Sequence, residues 1–113
     1  MMQDKLQKMF DKQKEFQKRL SNVTLPERRP DLIPMQITGL VSELGEVLGE
    51  YKEWKNWKKN FKPVDNRQLL DEVADVWTFL INITLCLGID AEELYAGFIN
   101  KNNVNNKRQD ENY

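Results

Sequence analysis

The chain has 113 residues, with 18 acids against 17 bases, one cysteine and no histidine. That length fits a single small domain, 1–113; without imidazole there is no Ser–His or Cys–His nucleophile pair and no His-liganded zinc, and Cys86 alone makes neither an intrachain disulfide nor a thiolate cage. A net charge of −1 at pH 7 argues against a nucleic-acid or basic membrane binder, so chemistry falls to carboxylates, amines, amides and whatever metal the carboxylates can hold.

Met1 to Lys5 lacks the charged-then-apolar order of a signal peptide. The longest apolar stretch, Val76 to Ile89, is broken by Thr78, Asn82 and Thr84 and is shorter than the roughly 20 residues that span a bilayer. A cytoplasmic chain is expected, with its lone thiol in a reducing compartment.

The residue pattern predicts an all-α protein of four helices. From Asp4 to Leu20, Leu6, Met9, Phe10, Phe16 and Leu20 recur at helical spacing between Lys, Gln and Glu. Ser21-Asn22 and then Pro26, Pro30 and Pro34 make a connector that is not helical throughout. A second helix begins near Met35 and carries Ile37, Leu40, Val41, Leu44, Val47, Leu48, Tyr51 and Trp54 on one stripe. Lys55 to Lys62, with Pro63, Asp65 and Asn66, reads as a frayed end and a loop.

A third helix, from about Arg67 to Leu87, is apolar almost all round and suits the centre of a bundle. Gly88 is placed to end it, and Asp90 with Glu93 forms a capping box for a fourth helix. That helix passes through Leu94, Tyr95, Phe98 and Ile99 into a polar tail, 100–113. No stretch alternates with period two as a strand would.

Helices two and three share a short repeat. Leu40-Val41-Ser42-Glu43-Leu44-Gly45-Glu46-Val47 aligns with Leu69-Leu70-Asp71-Glu72-Val73-Ala74-Asp75-Val76. At about 100° per residue, Glu43 and Glu46 lie roughly 60° and 120° from Leu40, and Glu72 and Asp75 stand likewise to Leu69. Each helix therefore carries an acid pair at one edge of its apolar stripe. Helices packed through those stripes would gather four carboxylates at one rim of the core.

Acids at i and i+3 are ordinary on a solvated face; what sets these apart is their recurrence in one apolar frame. Like charges beside a core repel unless a cation lies between them. An all-oxygen, histidine-free donor set suits Mg²⁺, which takes carboxylates together with substrate phosphates. One or two such ions would neutralise a polyphosphate and activate a water, whose proton a carboxylate could take. Lys52, Lys55, Lys58 and Lys59, and Lys101, Lys107 and Arg108 in the tail, are the candidate phosphate grip, or else a solvated face. Cys86 is expected to be a buried small apolar residue.

Glu43-x-x-Glu46 followed after 25 residues by Glu72-x-x-Asp75 resembles the signature of the all-α nucleoside triphosphate pyrophosphohydrolases, which include MazG-like enzymes and the dimeric dUTPases. Further stretches resemble the dimeric dUTPase branch: Phe10-Asp11-Lys12-Gln13, the Lys55-Asn56-Trp57-Lys58 segment, and the tail from Lys101 to Tyr113. The resemblance implies a magnesium-dependent, oligomeric helical enzyme that splits a nucleoside triphosphate into monophosphate and pyrophosphate. It implies that Glu43, Glu46, Glu72 and Asp75 hold the metal and that Gln13 recognises the base. It also implies that Trp57 packs against the nucleotide while Lys58, Lys101, Asn105 and Arg108 contact phosphate or sugar; an arginine suits a bidentate phosphate contact.

The chain departs from that branch at Phe16, where Asn is frequent, at Thr78, where His is frequent, and at Asn112, which stands in place of Gly. Two of these positions concern the base pocket, so the resemblance bears more on the reaction than on the base. Trp54, Trp57 and Gln13 each also have a plain reading, the tryptophans as core or interface packing and Gln13 as a surface amide.

The expectation is a four-helix bundle-type subunit completed as a homodimer or homotetramer, acting on dUTP, with Glu46 as general base and the tail ordering on nucleotide binding. Cleansing the nucleotide pool of dUTP is the implied role. Two rivals stand beside it: a MazG-like pyrophosphohydrolase of other nucleotides, and a non-catalytic helical oligomer.

Overall fold

A computed structural model describes residues 4–21 and 28–111. Four α-helices account for most of them: α1 (Lys5–Ser21), α2 (Ile33–Glu50), α3 (Asn66–Cys86) and α4 (Ala91–Asp110). One-turn 3-10 helices, Pro30–Leu32 and Lys52–Trp54, flank α2, and no strand occurs among the described residues. The all-α expectation holds. No single helix among these residues is long and apolar enough to cross a membrane.

The chain divides into two compact units, one drawn from 1–28 and 84–113 and the other from 29–83. In the first, α1 packs against α4, and the buried residues are Phe10, Leu85, Cys86 and Ala91. Cys86 is thus the buried small residue its type suggests. Asp4 caps α1, its Oδ1 accepting from the Gln7 amide at 3.0 Å.

At the end of α3, Gly88 takes φ 78°, while the Gly88 and Ile89 amides donate to Leu85 and Thr84 carbonyls at 2.9 and 3.2 Å. This is a Schellman stop, and glycine is the residue that holds its left-handed position without strain. Asp90 and Glu93 then form the expected reciprocal box at the start of α4.

Beyond Ile99 the structure differs from expectation, because the polar tail continues α4 to Asp110. No glycine or proline follows Gly97 to break the helix. Asn106 Nδ2 donates to Asn102 Oδ1 at 3.0 Å, and Lys107 and Arg108 sit in the last turn, where cations complement the helix dipole. Residues 112 and 113, the end of the expected closing segment, lie outside the described residues.

In the second unit, Pro34 occupies the first turn of α2, where its missing N–H is no loss. Asp65 starts α3 by accepting from the Arg67 and Gln68 amides at 3.1 and 3.2 Å. The two helices meet through matched positions. Asn82 Nδ2 donates to Gln36 Oε1 at 3.0 Å, and a Cβ placed on Gly39 would fall on the Phe79 ring. Stepping forward along α2 while stepping back along α3 gives an antiparallel pair, with glycine where the backbones come closest.

Two expectations are corrected in this unit. The second helix does not carry its stripe through Tyr51 and Trp54: α2 stops at Glu50, and Tyr51 is extended at φ −107°, ψ 93°. The Trp54 indole N–H donates to the Leu48 carbonyl at 3.2 Å, satisfying an oxygen that the ended helix leaves open. Nor is the apolar surface of α3 buried all round, since Leu70 is 66% and Trp77 50% exposed in the single chain. On α2, Ile37, Val41, Leu44 and Leu48 are likewise exposed and fall at i, i+4, i+7 and i+11, a continuous uncovered stripe.

Candidate metal centre

The antiparallel register that pairs Gln36 with Asn82 and Gly39 with Phe79 brings Glu43, one turn on, opposite Asp75 and Glu72. A carboxylate oxygen from each of Glu43, Glu72 and Asp75 lies within 4.8 Å of the others. Glu43 and Glu72 are half-buried and Asp75 is exposed, so the group sits at an edge of the helix pair, open to solvent on one side. The repeat explains why the acids meet. Two antiparallel helices bearing the same octet are related by a local two-fold, which sets Glu43 against Asp75 and Glu46 against Glu72.

The charges act on one another. The Glu72 carboxyl is held above its usual range, first by partial burial and then by the negative charges of Glu46, Asp75, Glu43 and Glu50. Glu46 stands outside the close trio, yet its charge is the strongest of the four acting on Glu72. Glu50 is a fifth acid, absent from the sequence expectations and half-buried. Its signal was available: Glu43, Glu46 and Glu50 follow i, i+3, i+7 along one face of α2.

Glu50 also lines a cleft of about 250 Å³ with Lys52, Lys58, Phe61, Lys62 and Asp65. Of the expected phosphate contacts, Lys58 therefore lies in the same unit as the acids and on a concave surface. Trp57 belongs to the same unit and is 70% exposed. Its ring meets Trp54 edge-on, with centroids 5.7 Å apart and an interplanar angle of 84°.

Gln13, Lys101, Asn105 and Arg108 belong to the other unit. Gln13 is half-buried on α1. Lys101, Asn105 and Arg108 are exposed on α4, where their i, i+4, i+7 spacing gives them one shared face. Thr78, at the position where a His was noted as frequent, donates its hydroxyl to the Ala74 carbonyl at 3.1 Å, turning it back onto its own helix.

The fold and this centre define an all-helical protein in which an antiparallel helix pair gathers carboxylates that could hold a metal ion. A family model described as dUTPase matches residues 5–87, and the chain belongs to that family, within the all-α nucleoside triphosphate pyrophosphohydrolases.

Among characterised relatives, the dCTP pyrophosphatase of Enterobacteria phage T4 is 29% identical over 106 residues, covering 80% of this chain and 62% of the relative. The dCTP pyrophosphatase of Enterobacteria phage LZ5 is 30% identical over 98 residues, covering 74% and 57% respectively. A DNA replication protein of phage T4 is 27% identical over 95 residues, 71% of this chain and 24% of the relative. The chain thus spans less than two thirds of the length of each of these relatives. No solved structure matches it.

Proposed function

We propose that this chain is a magnesium-dependent pyrophosphohydrolase of deoxypyrimidine nucleoside triphosphates, converting its substrate and water into the monophosphate and pyrophosphate. The observation that carries the reading is the meeting of Glu43, Glu72 and Asp75 from two helices within 4.8 Å. An all-carboxylate oxygen set is the donor chemistry of hard divalent cations. The upward push on Glu72 marks a repulsion that such a cation would relieve. Once bound, magnesium supplies electrostatic stabilisation to the phosphate oxygens.

The remaining roles belong to the chain's own side chains. Glu46, beside Glu72 and outside the close trio, completes the acid set and is the carboxylate that accepts the proton of the attacking water. Lys58 on its cleft, and the α4 face of Lys101, Asn105 and Arg108, steady the triphosphate, while Gln13 and Trp57 contact the nucleoside. The uncovered stripe Ile37, Val41, Leu44 and Leu48 supports assembly as a homodimer or homotetramer, because exposed apolar surface of that length favours a partner. The working location is the cytoplasm, and the role is removal of dUTP from the nucleotide pool.

The family description favours dUTP. The second reading is dCTP, the nucleotide for which the two phage relatives are named. Pyrophosphate release measured over a nucleotide panel with magnesium separates these from a broad MazG-like specificity. Preferential cleavage of dUTP or dCTP is expected, and equal cleavage of purine nucleotides overturns the pyrimidine assignment. Full activity in both Glu43→Ala and Glu72→Ala would overturn the metal-site reading, whereas a parent that cleaves no nucleotide on the panel would leave the non-catalytic oligomer.

A further inference from the structure

We infer that Trp54 is a positioning residue, which fixes the Trp57 ring and Lys58 relative to the acid-bearing helix; the inference rests on the nucleotide reading of Trp57 and Lys58 given above. Its basis is the way the segment after α2 is built. Leu48 lies on α2 between Glu46 and Glu50, and its carbonyl accepts the Trp54 indole N–H at 3.2 Å. That bond ties the outgoing chain directly to the turn of α2 that carries the acids.

From there the chain makes two successive i to i+3 turns, with the Lys55 amide on the Lys52 carbonyl at 3.0 Å and the Lys58 amide on the Lys55 carbonyl at 3.1 Å. The 3-10 turn ends at Trp54, and Lys55 at φ −79°, ψ 84° redirects the chain into the second turn. Across that bend Trp54 meets Trp57 edge-to-face at 5.7 Å, the arrangement aromatic quadrupoles prefer. Lys55 Nζ stands 5.5 Å from the Trp54 ring centre, a cation–π contact on the same indole.

One side chain thus makes three contacts: to the end of α2, to Trp57 and to Lys55. Trp57, at 70% exposure, has no comparable burial to hold it and depends on Trp54 for its orientation. A preset aromatic face binds a planar ring with less ordering entropy than a mobile one.

The test is W54F in the full chain, which keeps an aromatic ring beside Trp57 while removing the indole N–H and reducing the bicycle to a single ring. Loss of one hydrogen bond predicts a rise in KM for the nucleotide of about five- to tenfold, with kcat unchanged and the thermal melt of the helices little altered. In chains labelled with 5-fluorotryptophan, the Trp57 fluorine resonance should shift and sharpen in W54F as the ring gains motion. An unchanged KM in W54F overturns the inference, whatever the resonance does. A normal KM in W57A is a different failure: it removes the nucleotide contact itself, and so falls on the proposed function.

Discussion

Asn82 donates from Nδ2 to Oε1 of Gln36 at 3.0 Å, and at 2% exposure it is the buried polar side chain among the described residues. Because the bond joins α3 to α2 one rung away from Gly39 and Phe79, it sets the register that carries Glu43 to Asp75 and Glu72. Asn82→Ala should cost about 1–3 kcal/mol, the usual penalty when a buried hydrogen-bonding partner is lost. Urea unfolding of the single variant would measure it. A variant as stable as the parent would show that the pair contributes nothing to register.

Glu72→Gln separates the metal role of that carboxylate from its burden on the fold. Without divalent cation the variant should be the more stable of the two, since it removes a charge facing Glu46, Asp75, Glu43 and Glu50. With magnesium the order should reverse, because only the parent gains the stabilisation that ligand binding brings. Outer-sphere partners of metal ligands are worth about 10–100-fold in activity, so losing a direct ligand should reduce turnover by at least about a hundredfold. Thermal melts with and without magnesium, beside a pyrophosphate-release assay, test both halves.

The same carboxyl gives a pH dependence with a definite sign. Glu72 holds its proton to a higher pH in the folded chain than in the unfolded one. Its contribution to metal-free stability is therefore greatest at acid pH and is lost as pH rises from the ordinary glutamate value through the raised one. Magnesium competes with that proton, so affinity should climb over the same interval and level off above it. Calorimetric titrations from pH 4 upward should show this rise in the parent and a flatter profile in Glu72→Gln.

Leu44 lies midway along the uncovered stripe of α2, 47% exposed in the single chain. If the stripe is covered by a second copy, Leu44→Glu buries a charge in that contact and should dissociate the assembly into monomers. Light scattering after size exclusion would read this directly. A parent that is monomeric at all concentrations would dispose of the oligomer.

Much of this architecture is written in local pattern. Proline placement, Asp90 with Glu93, and Gly88 have short-range consequences, and each behaved as its chemistry requires. The paired acids were legible for the same reason, since a repeated octet on two amphipathic helices points its carboxylates to matching edges. What lay beyond reach depended on particular side-chain contacts. The end of α2 at Glu50 is held by an indole six residues away from the carbonyl it satisfies, and no periodicity encodes that bond. Of the glycines, Gly45 sits in the repeat yet faces open space, whereas Gly39, outside it, is the one against a ring. The helical tail was masked by its asparagines, which are poor helix formers taken singly.

On the metal reading proposed above, Gly39 and Phe79 would also act as a calliper for ionic radius. Their contact fixes how near α2 comes to α3, and the carboxylates one turn away inherit that spacing. Magnesium asks for oxygens at about 2.0–2.1 Å, whereas calcium accepts about 2.3–2.6 Å and more ligands. A methyl group at position 39 would meet the Phe79 ring and wedge the helices apart, so Gly39→Ala should trade magnesium selectivity for calcium. Comparing the two ions by calorimetry in parent and variant would show whether a single missing Cβ sets the choice of cation.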